Sequence, residues 1–205
     1  MFLNTIRQTL GIAFVSASLL LPAQPALGQA AAGSGFVYVM GNQAAENTIL
    51  VFSRNANGSL SKLQEVPTQG KGSGGTLDPL GSGSAVTLSD DGRLLFAVNA
   101  GSNEVSSFTV TDDGLQFASK APSGGTMPVS VAVHLDTAYV LNAAGTPNVT
   151  AFRVGLSGQL NMIANSTKAL PGGANAGPRS SRRESGRPGA GGDRKEHQPD
   201  RSVPD

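Results

Sequence analysis

Leu94-Leu95-Phe96-Ala97-Val98-Asn99, then Asn103-Glu104-Val105-Ser106-Ser107-Phe108 and the turn Asp113-Gly114-Leu115, is the stretch that decides the fold. The same pattern stands on both sides of it. Upstream it reads Phe36-Val37-Tyr38-Val39-Met40-Gly41-Asn42, Asn47-Thr48-Ile49-Leu50-Val51-Phe52 and Asn57-Gly58-Ser59-Leu60. Downstream it reads Thr137-Ala138-Tyr139-Val140-Leu141-Asn142, Asn148-Val149-Thr150-Ala151-Phe152 and Ser157-Gly158-Gln159-Leu160. Asn99 to Asn142 is 43 residues and Phe108 to Phe152 is 44, whereas Asn42 to Asn99 is 57. The excess is a Gly-rich insertion over residues 70–83.

Short apolar-rich runs bounded by Asx-Gly or Gly turns are strand patterning. Before the central copy stand Ala85-Val86-Thr87-Leu88-Ser89 and the turn Asp90-Asp91-Gly92; before the third stand Val129-Ser130-Val131-Ala132-Val133 and a turn at His134-Leu135-Asp136. Four strands (a to d) per unit of about 44 residues make one blade of a β-propeller. The expectation is an all-β propeller of four-stranded antiparallel blades over 36–173, with blades at about 36–70, 84–125 and 127–173. The absence of Trp excludes the WD40 class. Antiparallel order puts the b–c and d–a loops on one rim, with Asn42, Asn99, Asn142 and the insertion. The a–b and c–d turns, with Arg93 and His134, fall on the other. The first copy begins at strand b, and rings need roughly four to eight blades, so the chain reads as cut short.

Composition agrees and excludes several classes. The 205 residues hold 27 Gly and 12 Pro, a turn-rich content. With no Cys there is no disulfide framework, thiolate metal site or cysteine nucleophile. A net charge of +1 argues against a nucleic-acid-gripping surface. At the N-terminus, Arg7 precedes an uncharged apolar run from Leu10 to Leu21, followed by Pro22, Pro25 and small residues. That run is short of the roughly 20 residues a bilayer span needs and suits a signal peptide over 1–28. The expectation is an exported protein, periplasmic or extracellular, without a membrane span after cleavage.

The runs Leu88-Ser-Asp-Asp-Gly-Arg93-Leu-Leu-Phe-Ala-Val-Asn99-Ala-Gly101 and Tyr139-Val-Leu-Asn142-Ala-Ala-Gly145 resemble the seven-bladed lactonase propellers, the 6-phosphogluconolactonase and carboxymuconate-cyclase-like proteins. The resemblance covers about three of seven blades. It implies hydrolysis or formation of a lactone ring at the mouth of the central channel, on a small-molecule lactone and without a cofactor. Members with assigned chemistry often carry Pro-x-His entering a blade; here Pro128-Val129-Ser130 has Ser at that place. The family's acid/base pair and Arg cluster have no counterpart in these blades, so the catalytic residues are unassigned.

Residues 179–205 carry seven of the 15 basic residues and neither an aromatic nor enough aliphatic residues for a core. They read as a disordered tail with a frameshift origin. Gly192 to Arg201 can be encoded so that dropping one nucleotide yields V-T-E-K-S-T-N-R-I, similar to the b–c segment of a further lactonase blade.

Gly70, Gly72 and Gly75 match G-x-G-x-x-G, but Pro79, Gly81 and Gly83 forbid the helix that a dinucleotide site needs. The reading is a flexible d–a loop, in which Lys71 and Asp78 are ligand-rim candidates. Asn99 and Asn142 are the other two candidates, weighed against a structural role in the turn after strand b. His134 and His197 support neither a triad nor a metal site. The functional expectation is an exported lactonase-like propeller, with this chain an inactive fragment. The alternative is a non-catalytic exported propeller binding a partner or small ligand. Three blades leave two apolar faces open, so residues 29–205 are expected to aggregate or express poorly. No residue pattern sets an oligomeric state.

Overall fold

A computed structural model describes residues 35–75 and 83–173, which form three antiparallel sheets in chain order. The export segment, Asp78, His197 and the 179–205 tail lie outside the described residues. The first sheet is β1 (Gly35–Met40), β2 (Thr48–Arg54) and β3 (Leu60–Pro67), in the order β1-β2-β3. The second is β4 (Val86–Leu88), β5 (Leu94–Asn99), β6 (Glu104–Thr111) and β7 (Gly114–Pro122), again in sequence order. The third is β8 (Thr126–His134), β9 (Thr137–Ala144), β10 (Asn148–Val154) and β11 (Leu160–Met162), with β12 (Lys168–Ala169) also pairing β10. Each sheet is a blade, and the first lacks strand a among the described residues.

The blades stack face to face, so the middle blade is covered on both sides. Its strand β5 is buried at every position. Leu94, Phe96 and Val98 pack toward the third blade, against Val131, Val133, Ala138, Val140 and Phe152. Leu95 and Ala97 point the other way and join Ile49 and Val51 of the first blade with Phe108 and Leu115. This double burial explains why β5 reads as an apolar run instead of an alternation. Strands β1 and β9 carry equally apolar runs, yet Val39 is 44% and Tyr139 41% exposed on their uncovered sides.

Register identifies equivalent positions. Phe108 stands opposite Leu95, Phe152 opposite Ala138 and Phe52 opposite Val37. Counting outward from these pairs, Asn99 and Asn142 match Gly41, not Asn42. The spacing that made Asn42 the third member of an Asn series is therefore off by one. Asn42 instead takes a left-handed conformation (φ 58) just past the strand, where Asn is better tolerated than most residues.

Candidate functional site

At the b–c and d–a rim, a buried polar network joins the first two blades. The Asn99 side chain is fully buried. Its Oδ1 accepts from Thr68 Oγ1 at 2.6 Å and from Asn47 Nδ2 at 3.0 Å, and its Nδ2 donates to Ser106 Oγ at 2.8 Å. Ser106 Oγ donates in turn to the Thr68 carbonyl at 2.7 Å. Asn142 is also fully buried; its Nδ2 donates to the Ser123 carbonyl and to Asn148 Oδ1. Its Oδ1 has no hydrogen-bond partner among the described residues. The equivalents of the donors at Asn99 explain the difference. Ser123 and Asn103 take the places of Thr68 and Asn47, each pairing its backbone in the same way (Thr68 N–H to the Asn47 carbonyl, Ser123 N–H to the Asn103 carbonyl). Ser123 Oγ, however, donates to the Gly125 carbonyl, and Asn103 Oδ1 accepts from Met127 N–H. Both asparagines are thus turned into the protein at the rim.

The Gly-rich segment that composition reads as flexible is pinned over residues 70–75. Gly72 N–H donates to the Gln43 carbonyl at 2.8 Å, Gly74 N–H to the Asn42 carbonyl at 3.0 Å and Gly101 N–H to the Lys71 carbonyl at 2.9 Å. Asn42 clamps Ser73 through both its amide atoms. A Cβ on Gly72 would collide with the Asn42 backbone, so glycine there serves close approach. Lys71 is exposed, its backbone N–H donating to Ser102 Oγ, and its ammonium has no partner among the described residues. Of the sequence candidates, Lys71, Asn99 and Asn142 all lie on this rim.

Strand β8 enters the third blade through Met127, at φ 57, and a bulge between Pro128 and Ser130. Bulges and strained residues cluster near functional sites because they re-aim side chains. Here the re-aimed residue is Ser130, which is fully buried.

Sequence reasoning missed the ion pair Glu104–Lys120, 2.8 Å long, whose ammonium also donates to the Gln69 carbonyl of the first blade at 2.7 Å. Burial raises the Glu104 carboxyl, but hydrogen bonds from Lys120 and Ser102 and the Lys120 charge outweigh it and hold the group below the usual range. A depressed carboxylate stabilises the fold above its unfolded value and loses that contribution as pH falls through the folded one. The urea midpoint should therefore drop on acidification below about pH 4.5, and the drop should shrink in Glu104→Gln. An unchanged drop would remove Glu104 from the acid response.

The opposite rim holds a second candidate. Ser89, Asp91, Arg93, Leu94, Leu135, Asp136, Val154 and Leu156 line part of a cleft of about 280 Å³ between the second and third blades. His134 Nδ1 lies 2.9 Å from Asp90 Oδ2, bridging those blades. Asp136 pairs with Arg153 at 2.6 Å, and this hydrogen bond holds its carboxyl below the usual range. Ser89 Oγ and the Arg93 N–H do the same for Asp91. Leu135 sits at φ 50 and is 77% exposed. Left-handed backbone costs a bulky residue about 1 kcal/mol, so Leu135→Gly should raise the unfolding free energy by that amount or slightly less, read as a higher urea midpoint; a fall would show that the leucine makes contacts in solution. Among the described residues there is no group of three or more His, Asp or Glu that could hold a metal.

Three face-packed antiparallel sheets, with strands paired in chain order, define a partial β-propeller. The profile of the family "Lactonase, 7-bladed beta-propeller" matches residues 29–174, and the chain belongs to that family. No curated protein matches it. Similar solved structures include a protein from Lactobacillus plantarum, 22% identical with a TM-score of 0.53 over 68% of this chain and 40% of that one. A putative 6-phosphogluconolactonase from Bacteroides uniformis is 17% identical with a TM-score of 0.53, covering 68% and 38%. A periplasmic gluconolactonase from Pseudomonas aeruginosa is 22% identical with a TM-score of 0.49, covering 69% and 42%. The chain spans about two fifths of the length of these proteins.

Proposed function

We propose that this chain is part of an exported propeller that hydrolyses or forms a lactone ring, with the reacting groups carried by blades other than these three. The family match over residues 29–174 carries the lactone reading, and the N-terminal Arg7 and Leu10–Leu21 pattern carries export. On the described b–c and d–a rim, the ionisable groups pair with one another or stand alone, as Lys71 does. Among the described residues no acid and base face each other there across a space for substrate, which supports placing the reacting groups in other blades. Residues 179–205 are then an out-of-frame reading of the next blade.

The test has two arms. Resequencing from about codon 170 past the stop should reveal a frame that continues the blade pattern. The protein encoded by that frame should open sugar lactones in a pH-stat assay, while the 205-residue chain should not exceed the uncatalysed rate. Turnover by the 205-residue chain would refute the assignment of catalysis to other blades. The buried Ser130, where active relatives often place His, favours a second reading: a propeller that binds a partner or ligand without turnover. Ligand binding by the longer protein with no lactone opening would select it.

A further inference from the structure

The cleft of about 280 Å³ on the a–b and c–d rim is lined, among the described residues, by the second and third blades. Three turns wall it, and each is fastened. In the a–b turn of the second blade, Leu94 N–H donates to Ser89 Oγ at 3.0 Å and Gly92 N–H to the Ser89 carbonyl at 2.9 Å. In the third blade, Val154 N–H donates to the Asp136 carbonyl at 2.8 Å and Gly155 N–H to the Gln159 carbonyl at 2.9 Å. Ser107 Oγ of the second blade donates to the Gly158 carbonyl and ties the c–d turn across the seam. The cleft is therefore preformed, at the lower edge of the roughly 300–1,000 Å³ usual for small-molecule sites.

Two leucines break the blade repeat there. The left-handed position of the a–b turn is Gly92 (φ 71) in the second blade and Leu135 (φ 50) in the third. The c–d turns of the first and third blades share a hydrogen bond, Gly58 N–H to the Asn55 carbonyl and Gly158 N–H to the Gly155 carbonyl. That match sets Leu156 against Ala56, and Leu156 is 101% exposed. A bulky apolar side chain in a strained or fully wet turn gives the fold nothing in return. Both leucines line the cleft, together with the buried Leu94 and Val154. They supply apolar contact surface that the fold itself does not use.

Charge selects the ligand. Asp90, Asp91 and Asp136 line the cleft against one cation, Arg93. The Arg93 side chain is 80% exposed and meets Asp91 at 3.5 Å, while Arg153 pairs with Asp136 without lining the cleft. Three carboxylates against two guanidinium groups and a neutral His134 leave one negative charge. We propose that this cleft binds a small organic cation, an amine carried on an apolar body. The body lies against Leu135 and Leu156, and the ammonium lies among the carboxylates. The site is on the rim opposite Lys71, Asn99 and Asn142, and the proposal does not depend on the lactone reading.

The experiment is an NMR titration of the 205-residue chain, labelled at its leucine methyl groups, with phenethylamine at pH 8. The comparison ligand is 3-phenylpropionate, which has the same body and the opposite charge. Methyl signals of Leu94, Leu135 and Leu156 should shift and saturate with phenethylamine, while those of Leu95 and Leu115 in the other seam stay in place. The propionate should bind at least about tenfold more weakly. Leu135→Gly, expected above to stabilise the fold, and Leu156→Ala, which installs the residue of the first blade, should each weaken phenethylamine about fivefold. Neither loss would then be one of folding. Absence of saturable shifts, shifts spread to Leu95 and Leu115, equal or tighter binding of the propionate, or variants that bind as wild type would each overturn the proposal.

Discussion

Phe108→Ala is expected to lower stability by about 3–5 kcal/mol, the cost of emptying a fully buried aromatic position. Phe108 is 0% exposed and closes the seam between the first and second blades. Its ring stands edge-on to Phe117, with centroids 5.9 Å apart and planes at 88°, a geometry that adds about 0.5–1.5 kcal/mol beyond area burial. Ile49, Val51 and Leu95 approach from rigid strands in two sheets, so they cannot collapse into the space without moving a blade. Equilibrium urea unfolding measures the effect directly. A loss under about 1 kcal/mol would mean that the seam is not packed in solution.

The second large effect is expected at Asn99. Asn99→Ala strips Thr68 Oγ1, Asn47 Nδ2 and Ser106 Oγ of one partner each. Thr68 and Asn47 retain weaker alternatives in the Asn47 and Val98 carbonyls, at 3.0 and 3.2 Å. The expected cost is therefore about 2–3 kcal/mol, less than three independent losses would sum to. Asn142→Ala removes two donated bonds but also removes an acceptor that has no partner. It should cost about 1 kcal/mol less than Asn99→Ala in the same urea series. Equal costs would show that the Asn142 oxygen is satisfied in solution.

The architecture was legible because propellers repeat, and the repeat survives in residues that face the neighbouring blades. Contacts one blade period apart confirm it: Thr87 Oγ1 donates to the Val131 carbonyl, and Asp90 meets His134, each pair separated by 44 residues. What misled was identity without register. Asn42 resembles Asn99 and Asn142 by letter and rough spacing, but strand pairing assigns Gly41 to their position. Composition misled at Gly70–Gly75, since glycine permits both loose chain and backbone packed tightly on backbone, and only tertiary contact decides between them. The Glu104–Lys120 pair escaped notice because Glu104 reads only as a strand residue and Lys120 stands outside the repeated runs. Strand parity put the ligand candidates Lys71, Asn99 and Asn142 on one rim, but the sequence could not foresee that Asn99 and Asn142 would be buried. That depends on which neighbouring side chains reach across the seam.

The double burial of β5 has a consequence for amide exchange. A strand clasped between two blades is released only when both seams open, whereas β1 and β9 are each held by one seam. Backbone amides of Leu94–Val98 should then outlast those of the outer sheets in deuterium, as cooperative opening starts where fewest contacts are lost. Proteases should nick the first or third blade before the second.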